Sequence, residues 1–128
     1  GVFNPHDPQL TNALAQAARA LGHTCHTGVV HCKDSFYGQH APERMPVGDE
    51  LRYKWQAWIK AGCLASEMES AALFIVAQAL RVRAGTILTA VWNQERARAG
   101  LPNPETHHSS DAIRTAIDAI RILIRAGS

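Results

Sequence analysis

No stretch of this 128-residue chain approaches the roughly 20 uninterrupted apolar residues that a membrane span needs. Its first residues, Gly1 to Pro8, also lack the basic and apolar blocks of a secretory leader. An internal repeat and a low-complexity tract are both missing. Charge of one sign is scarce as well: the formal net charge is +2, and Lys and Arg are scattered instead of lying along one stripe, which argues against nucleic acid as partner. Cysteine is sparse and odd in number. Cys25, Cys32 and Cys63 leave one over after any pairing, which suits a reducing compartment better than a disulfide scaffold. A soluble, cytoplasmic protein is expected.

Metal-ligand spacing is absent too. Cys25-His26 and His31-Cys32 invite comparison with a metal site, but in a strand Cys25 and His31 share one face while His26 and Cys32 share the other. Six strand residues span roughly 20 Å, too far for two ligands of one ion. No metal is expected.

What the chain does have is enough apolar material, 46% of its residues, to build a core, and its length matches one average domain. Asp7 followed by Pro8 reads as a helix start, and Leu10, Leu14, Ala17, Ala18 and Leu21 follow at helical spacing until Gly22. His23 to His31 alternates and is β-branched at Val29 and Val30, which predicts a strand. Gly38, Pro42 and Pro46 make Asp34 to Gly48 a long loop, of the kind that often holds binding residues.

From Asp49, the spacing of Leu51, Trp55, Trp58 and Ile59 predicts a helix stopped near Gly62. The two tryptophans are expected in a core or at an oligomer contact. Cys63-Leu64-Ala65 is short and apolar, and Met68, Ala72, Ile75, Val76 and Ala79 then form a helical stripe. Thr86 to Trp92 is apolar and β-branched enough for a buried strand. A polar stretch, Asn93 to His108, precedes a last helix whose Ile113, Ile117, Ile120 and Ile124 lie on one face, with Asp111 near its start and Arg121 and Arg125 near its end. The alternation predicts an α/β fold, a central mixed sheet flanked by helices. Three strands make a thin sheet, and Gly1-Val2-Phe3 without an initiator methionine suggests a chain cut from a larger whole, with the missing strands upstream.

Two segments carry chemistry. Glu67 and Glu69, two positions apart, point the same way on a strand and in roughly opposite directions on a helix, so their junction decides which one faces a cleft. A glutamate in a first helical turn is held as the anion by the helix dipole and stays an acceptor-only group. It can take two hydroxyl protons at once, as a vicinal diol supplies them; the same acid can equally cap the helix with no ligand. Gln39 offers an amide that donates and accepts in one plane, and Arg44 a cation able to neutralise charge on a departing group. Together they can read a pyrimidine edge, with Phe36 or Tyr37 stacking on the base. Taken singly, each of these is an ordinary core anchor or solvated loop residue.

Asp34-Ser35-Phe36-Tyr37-Gly38-Gln39 and Glu67-Met68-Glu69-Ser70-Ala71-Ala72 resemble the C-terminal half of the uridine-cleaving members of the nucleoside phosphorylase family. The resemblance runs through essentially the whole chain, including Asn93-Gln94 and Pro102-Asn103-Pro104-Glu105. It implies that 1–128 is the C-terminal portion of a single nucleoside phosphorylase domain, acting on uridine and phosphate to give uracil and ribose 1-phosphate, reversibly and without a redox cofactor. Glu69 resembles the glutamate that grips the ribose hydroxyls, Met68 the methionine against the sugar, and Glu67 a less direct companion. Phe36 resembles the aromatic beside the base, and Gln39 and Arg44 the pair that recognises uracil. Glu69 and Arg44 are the catalytic candidates, helping an oxocarbenium-like sugar and a negatively charged uracil.

Two departures stand out. His40-Ala41-Pro42-Glu43 separates Gln39 from Arg44, where some members have a closer pair, and Gln94 occupies the place of another base-pocket arginine, so that Arg96 or a water is left to serve there. Purine-selective relatives, and the related hydrolases that cleave methylthioadenosine, place a serine-aspartate pair after this strand; here the stretch reads Val91-Trp92-Asn93, which favours a pyrimidine over the alternative of a purine nucleoside phosphorylase or nucleosidase of the same family. Phosphate needs a glycine-rich loop or converging arginines, and neither is present. The resemblance implies that the phosphate site, and a monovalent cation site reported for some members, lie in an N-terminal half, and that a homo-oligomer, dimer or hexamer, completes the pocket. The isolated chain is therefore expected to be inactive. Glu95 to His108 would be a flap over the base, or merely a surface loop. A non-catalytic nucleoside-binding or assembly module is the alternative from another class.

Overall fold

Asp7 opens the described part of the molecule with the cap its sequence promised. In this computed structural model, which describes residues 7–127, Asp7 accepts a hydrogen bond from the Leu10 N–H at 2.9 Å and Pro8 begins helix α1, Pro8–Ala20. Gly22 follows at φ +78°, the left-handed conformation that ends a helix cheaply only at glycine. Gly1-Val2-Phe3, read above as the start of a cut chain, lies outside the described residues.

The remaining elements are β1 (Val30–Cys32), α2 (Phe36–His40), a 3-10 turn (Pro42–Arg44), α3 (Gly48–Lys60), β2 (Ala65–Glu67), α4 (Ser70–Leu80), α5 (Gln94–Arg98) and α6 (Ser110–Arg125). They fall into two compact units, one made of residues 26–82 and the other of the chain on either side of it.

In the first unit, β1 and β2 form a parallel pair with Val30 opposite Ala65, His31 opposite Ser66 and Cys32 opposite Glu67. A parallel pair needs a crossover, and α2, the 3-10 turn and α3 provide it. The His31 ring sits 5.5 Å from that of Trp58 on α3. The expected long loop at 34–48 is more ordered than its glycine and prolines suggest. Ser35 caps α2 by accepting from the Gly38 N–H at 3.0 Å, and Pro42 starts the 3-10 turn, so these residues act as element boundaries and not as breakers.

Gly48 shows how closely that turn is packed. A Cβ there would meet the Pro42 carbonyl oxygen at 2.3 Å, so the backbone itself would have to move. Alanine ordinarily stabilises a helix by about 1 kcal/mol over glycine. Gly48→Ala is instead expected to destabilise by about 1–3 kcal/mol, the cost of overpacking, as read from urea unfolding.

In the other unit, α1 packs on α6 through small side chains: Ala13, Leu14, Ala17 and Ala119 are buried, with Ile87, Ala116, Ile122 and Leu123 against them. Two expectations change here. The Ile113, Ile117, Ile120 and Ile124 face of α6 is exposed, from 48% to 68%, and the neighbouring face around Thr115 and Ala119 is the buried one. The helix is apolar on two faces, and the one with Ala116, Ala119, Ile122 and Leu123 meets α1. Residues 86–92 form no strand either. Strand signals report side-chain character, whereas a strand needs a ladder of backbone hydrogen bonds; here the Thr106 N–H donates to the Val91 carbonyl at 3.1 Å without a ladder forming.

The α4 stripe also departs from expectation. Ser70 and Ala77 are its buried residues, while Leu73, Ile75, Val76 and Leu80 are exposed. This helix is apolar nearly all round, so periodicity could not select its inner face. No described helix is long and apolar enough to cross a membrane.

Candidate functional site

The turn from β2 into α4 resolves the ambiguity between the two glutamates. Glu67, the last residue of β2, is buried, and its Oε2 accepts from the N–H groups of Glu69 at 2.8 Å and Ser70 at 2.7 Å. It spends its charge on two of the orphan donors that open α4. Burial alone would raise its pKa. The Ser70 and Glu69 N–H groups, with the Cys32 thiol and Ser70 hydroxyl, outweigh burial and hold the carboxyl below its ordinary value.

Glu69 is exposed, and its Oε2 takes one bond from the Met68 N–H at 3.1 Å. A carboxylate with two oxygens and one such bond keeps acceptor capacity for hydroxyl protons from outside. Met68, 39% exposed, stands beside it in the turn.

Cys32 lies opposite Glu67 in the ladder, and its Sγ accepts from the Ala71 N–H at 3.4 Å. Burial pushes this thiol up, and the Glu67 carboxylate adds to the effect against the Ala71 N–H. It is a structural partner of the turn, without the thiolate character of a nucleophile.

On the opposite face of β2, Ser66 connects the turn to α2. Its hydroxyl donates to Gln39 Oε1 at 2.7 Å and accepts from Lys33 Nζ at 3.2 Å. Burial holds the Lys33 ammonium below its ordinary value, against the opposing pull of Glu67, Glu69 and Cys32. The structure therefore ties Gln39 to the residue immediately before the Glu67-Met68-Glu69 turn. Neither Ser66 nor Lys33 was picked out from sequence, because a serine and a lysine carry no motif. For Ser66, its alternation with Glu67 along β2 was the available signal.

Phe36 and Tyr37, both exposed, meet edge to face at 5.4 Å, and the His40 ring lies 4.2 Å from Phe36. The Arg44 guanidinium, at the end of the 3-10 turn, lies over the Tyr37 ring at 5.9 Å. The four residues between Gln39 and Arg44 thus become a change of element, from α2 to that turn. The nearby concavity lined by Pro42, Met45, Pro46, Gly48 and Arg52 includes none of the sequence-predicted contacts.

Gln94 begins α5, in the other unit. Around it, Asn93 and Asn103 exchange hydrogen bonds at 3.1 and 2.8 Å, and Arg96 Nε donates to the Pro102 carbonyl at 2.8 Å. The Glu95–His108 stretch is thereby pinned at its base, with His107 bonded to Glu105 at 2.7 Å. No group of three or more potential metal ligands occurs among the described residues.

Residues 2–126 match the phosphorylase superfamily, and the chain belongs to it. It is 48% identical over 122 residues to the uridine phosphorylase of Treponema pallidum, covering 95% of this chain and 47% of that protein. The uridine phosphorylase of Klebsiella aerogenes is 33% identical over 119 residues, with 89% and 46% covered. A purine nucleoside phosphorylase, DeoD-type, of Clostridium perfringens is 38% identical over 81 residues, with 63% of this chain and 30% of that protein covered. The chain spans about half the length of the curated relatives it matches.

Proposed function

We propose that this chain is the nucleoside-binding, C-terminal portion of a single uridine phosphorylase domain, which cleaves uridine with phosphate to uracil and ribose 1-phosphate. The observation that carries the reading is the Ser66 bridge, because it holds Gln39 against the start of the Glu67–Glu69 turn. Glu69 accepts the 2- and 3-hydroxyl protons of the ribose, Met68 lies against the sugar, and Phe36 flanks the base. Glu67 builds the turn. Gln39 and Arg44 read uracil.

In the reaction, phosphate oxygen attacks the anomeric carbon as the bond to the uracil nitrogen breaks, and the electron pair leaves with the base. Glu69 favours the positive charge that gathers on the sugar, and Arg44 the negative charge on uracil. No redox cofactor is needed. The purine reading has less support: the purine-named relatives match at 38% over 81 residues or 31% over 114, against 48% over 122 for a uridine-named one, and Val91-Trp92-Asn93 carries no aspartate.

Phosphate is assigned to the half of the relatives' length that this chain does not span. That N-terminal half is its first partner, and a dimer or hexamer the assembled form. The exposed apolar faces of α4 and α6 support such partners, since patches of this kind are ordinarily covered. Three unpaired cysteines, one of them exposed, support a cytoplasmic setting. The isolated chain is expected to give no uridine phosphorolysis in a uracil-release assay and to bind uridine in titration. Turnover by the chain alone overturns the incomplete-site reading, and absence of nucleoside binding, with and without the N-terminal half of a relative, overturns the assignment to uridine.

A further inference from the structure

Lys33 is a half-buried charge with no carboxylate against it. Its backbone N–H donates to the Glu67 carbonyl at 2.8 Å, carrying the β1–β2 pairing one residue past Cys32, and its ammonium donates to Ser66 Oγ at 3.2 Å. Burial works against that charge. Lys54 on α3 answers its own charge with Glu50, whereas Lys33 has no ion pair among the described residues and only feels Glu67 and Glu69 from further off. An ammonium has three protons, and Ser66 takes one of them. Two donors are left beside the Glu67–Glu69 turn. A buried charge kept without a contact partner is costly, and such groups cluster where a ligand supplies the missing charge.

We infer that Lys33 is a further catalytic residue, an ammonium tethered by Ser66 that donates to a carbonyl oxygen of the departing base and neutralises the negative charge gathering there. This role rests on the uridine phosphorylase reading. As the bond between sugar and base breaks, its electron pair leaves with uracil and spreads over the ring nitrogens and carbonyl oxygens; Lys33 gives a hydrogen bond and keeps its proton. The contact strengthens as charge develops, so it favours the transition state over bound uridine. Ser66 removes the freedom of a long, flexible side chain before the ligand arrives.

At neutral pH 5-nitrouracil has lost a ring proton and uracil has not, so the two together read how the site responds to negative charge on a base. Both are titrated by NMR against the full chain, with and without the N-terminal half of the Treponema relative. Wild type is expected to favour 5-nitrouracil. Lys33→Met should weaken 5-nitrouracil roughly tenfold and uracil by no more than about threefold, and Lys33→Gln, which can still donate to Ser66 but carries no charge, should do the same. Ser66→Ala leaves the ammonium in place and should cut the preference only about threefold. The ratio of the two ligands cancels any effect a variant has on both alike. Circular dichroism checks that each variant is folded, and Lys33→Gln carries the comparison if Lys33→Met is not. A wild type indifferent to the charge, equal losses for both bases in the lysine variants, or a Ser66→Ala loss as large as that of Lys33→Met overturns the inference and leaves the functional reading standing. So does a Lys33→Met loss that falls on inorganic phosphate and spares 5-nitrouracil. Wild type binding neither uracil nor uridine overturns that reading and the inference with it.

Discussion

Glu69→Ala is expected to weaken uridine binding about a hundredfold while leaving free uracil within about twofold. Two hydroxyl protons on one carboxylate are charge-assisted hydrogen bonds, each worth about 1.5–3 kcal/mol, and roughly 3 kcal/mol in total is about two decades of affinity. The contrast between the two ligands is the informative part. Uracil has no ribose, so a change confined to the diol contact does not register with it. The exposed carboxylate, bonded to the Met68 N–H, is not holding the turn together, so the variant should fold as wild type does. Calorimetric titration of both ligands checks this, and equal losses for uridine and uracil would remove Glu69 from the ribose.

Glu67→Ala is expected to act on stability, by about 3 kcal/mol. It strips two backbone N–H groups of an ionised acceptor, and the Ser70 N–H is buried, where an unpaired donor costs about 1–3 kcal/mol. Glu67→Gln keeps an acceptor of the same shape and should cost less than half as much. The native carboxyl is held below its ordinary value, so its contribution is complete above the unfolded glutamate pKa and is lost as pH falls through the lowered native one. Urea unfolding from pH 7 to pH 3 should therefore show a steeper acid loss in wild type than in Glu67→Gln. Parallel pH profiles would mean that Glu67 is not ionised in the native turn.

How much of this was legible in the sequence follows from what each signal reports. The Asp7-Pro8 cap and the glycine stops at Gly22 and Gly62 are local backbone chemistry, and they appear where expected. The paired-glutamate motif marked the site, but division of labour between Glu67 and Glu69 depended on a strand ending at 67 and a helix starting at 70, a boundary no periodicity reports. Inner faces of α4 and α6 were illegible for a related reason. Ile113, Ile117, Ile120 and Ile124 are the larger apolar set, yet the smaller set with Thr115 and Ala119 lies against α1. Ser66 and Lys33 carry no motif, because Ser66 takes its meaning from a tertiary contact with Gln39, 27 residues away, and Lys33 from its contact with Ser66.

The isoleucine face of α6 has a thermodynamic consequence. Heat capacity of unfolding tracks the apolar area newly wetted, typically about 12–15 cal/mol/K per residue, and the denaturant slope tracks total area. Side chains already in water add to neither. By itself the chain should therefore have a flat stability curve and a shallow urea slope for its length, and both should steepen when those isoleucines are covered.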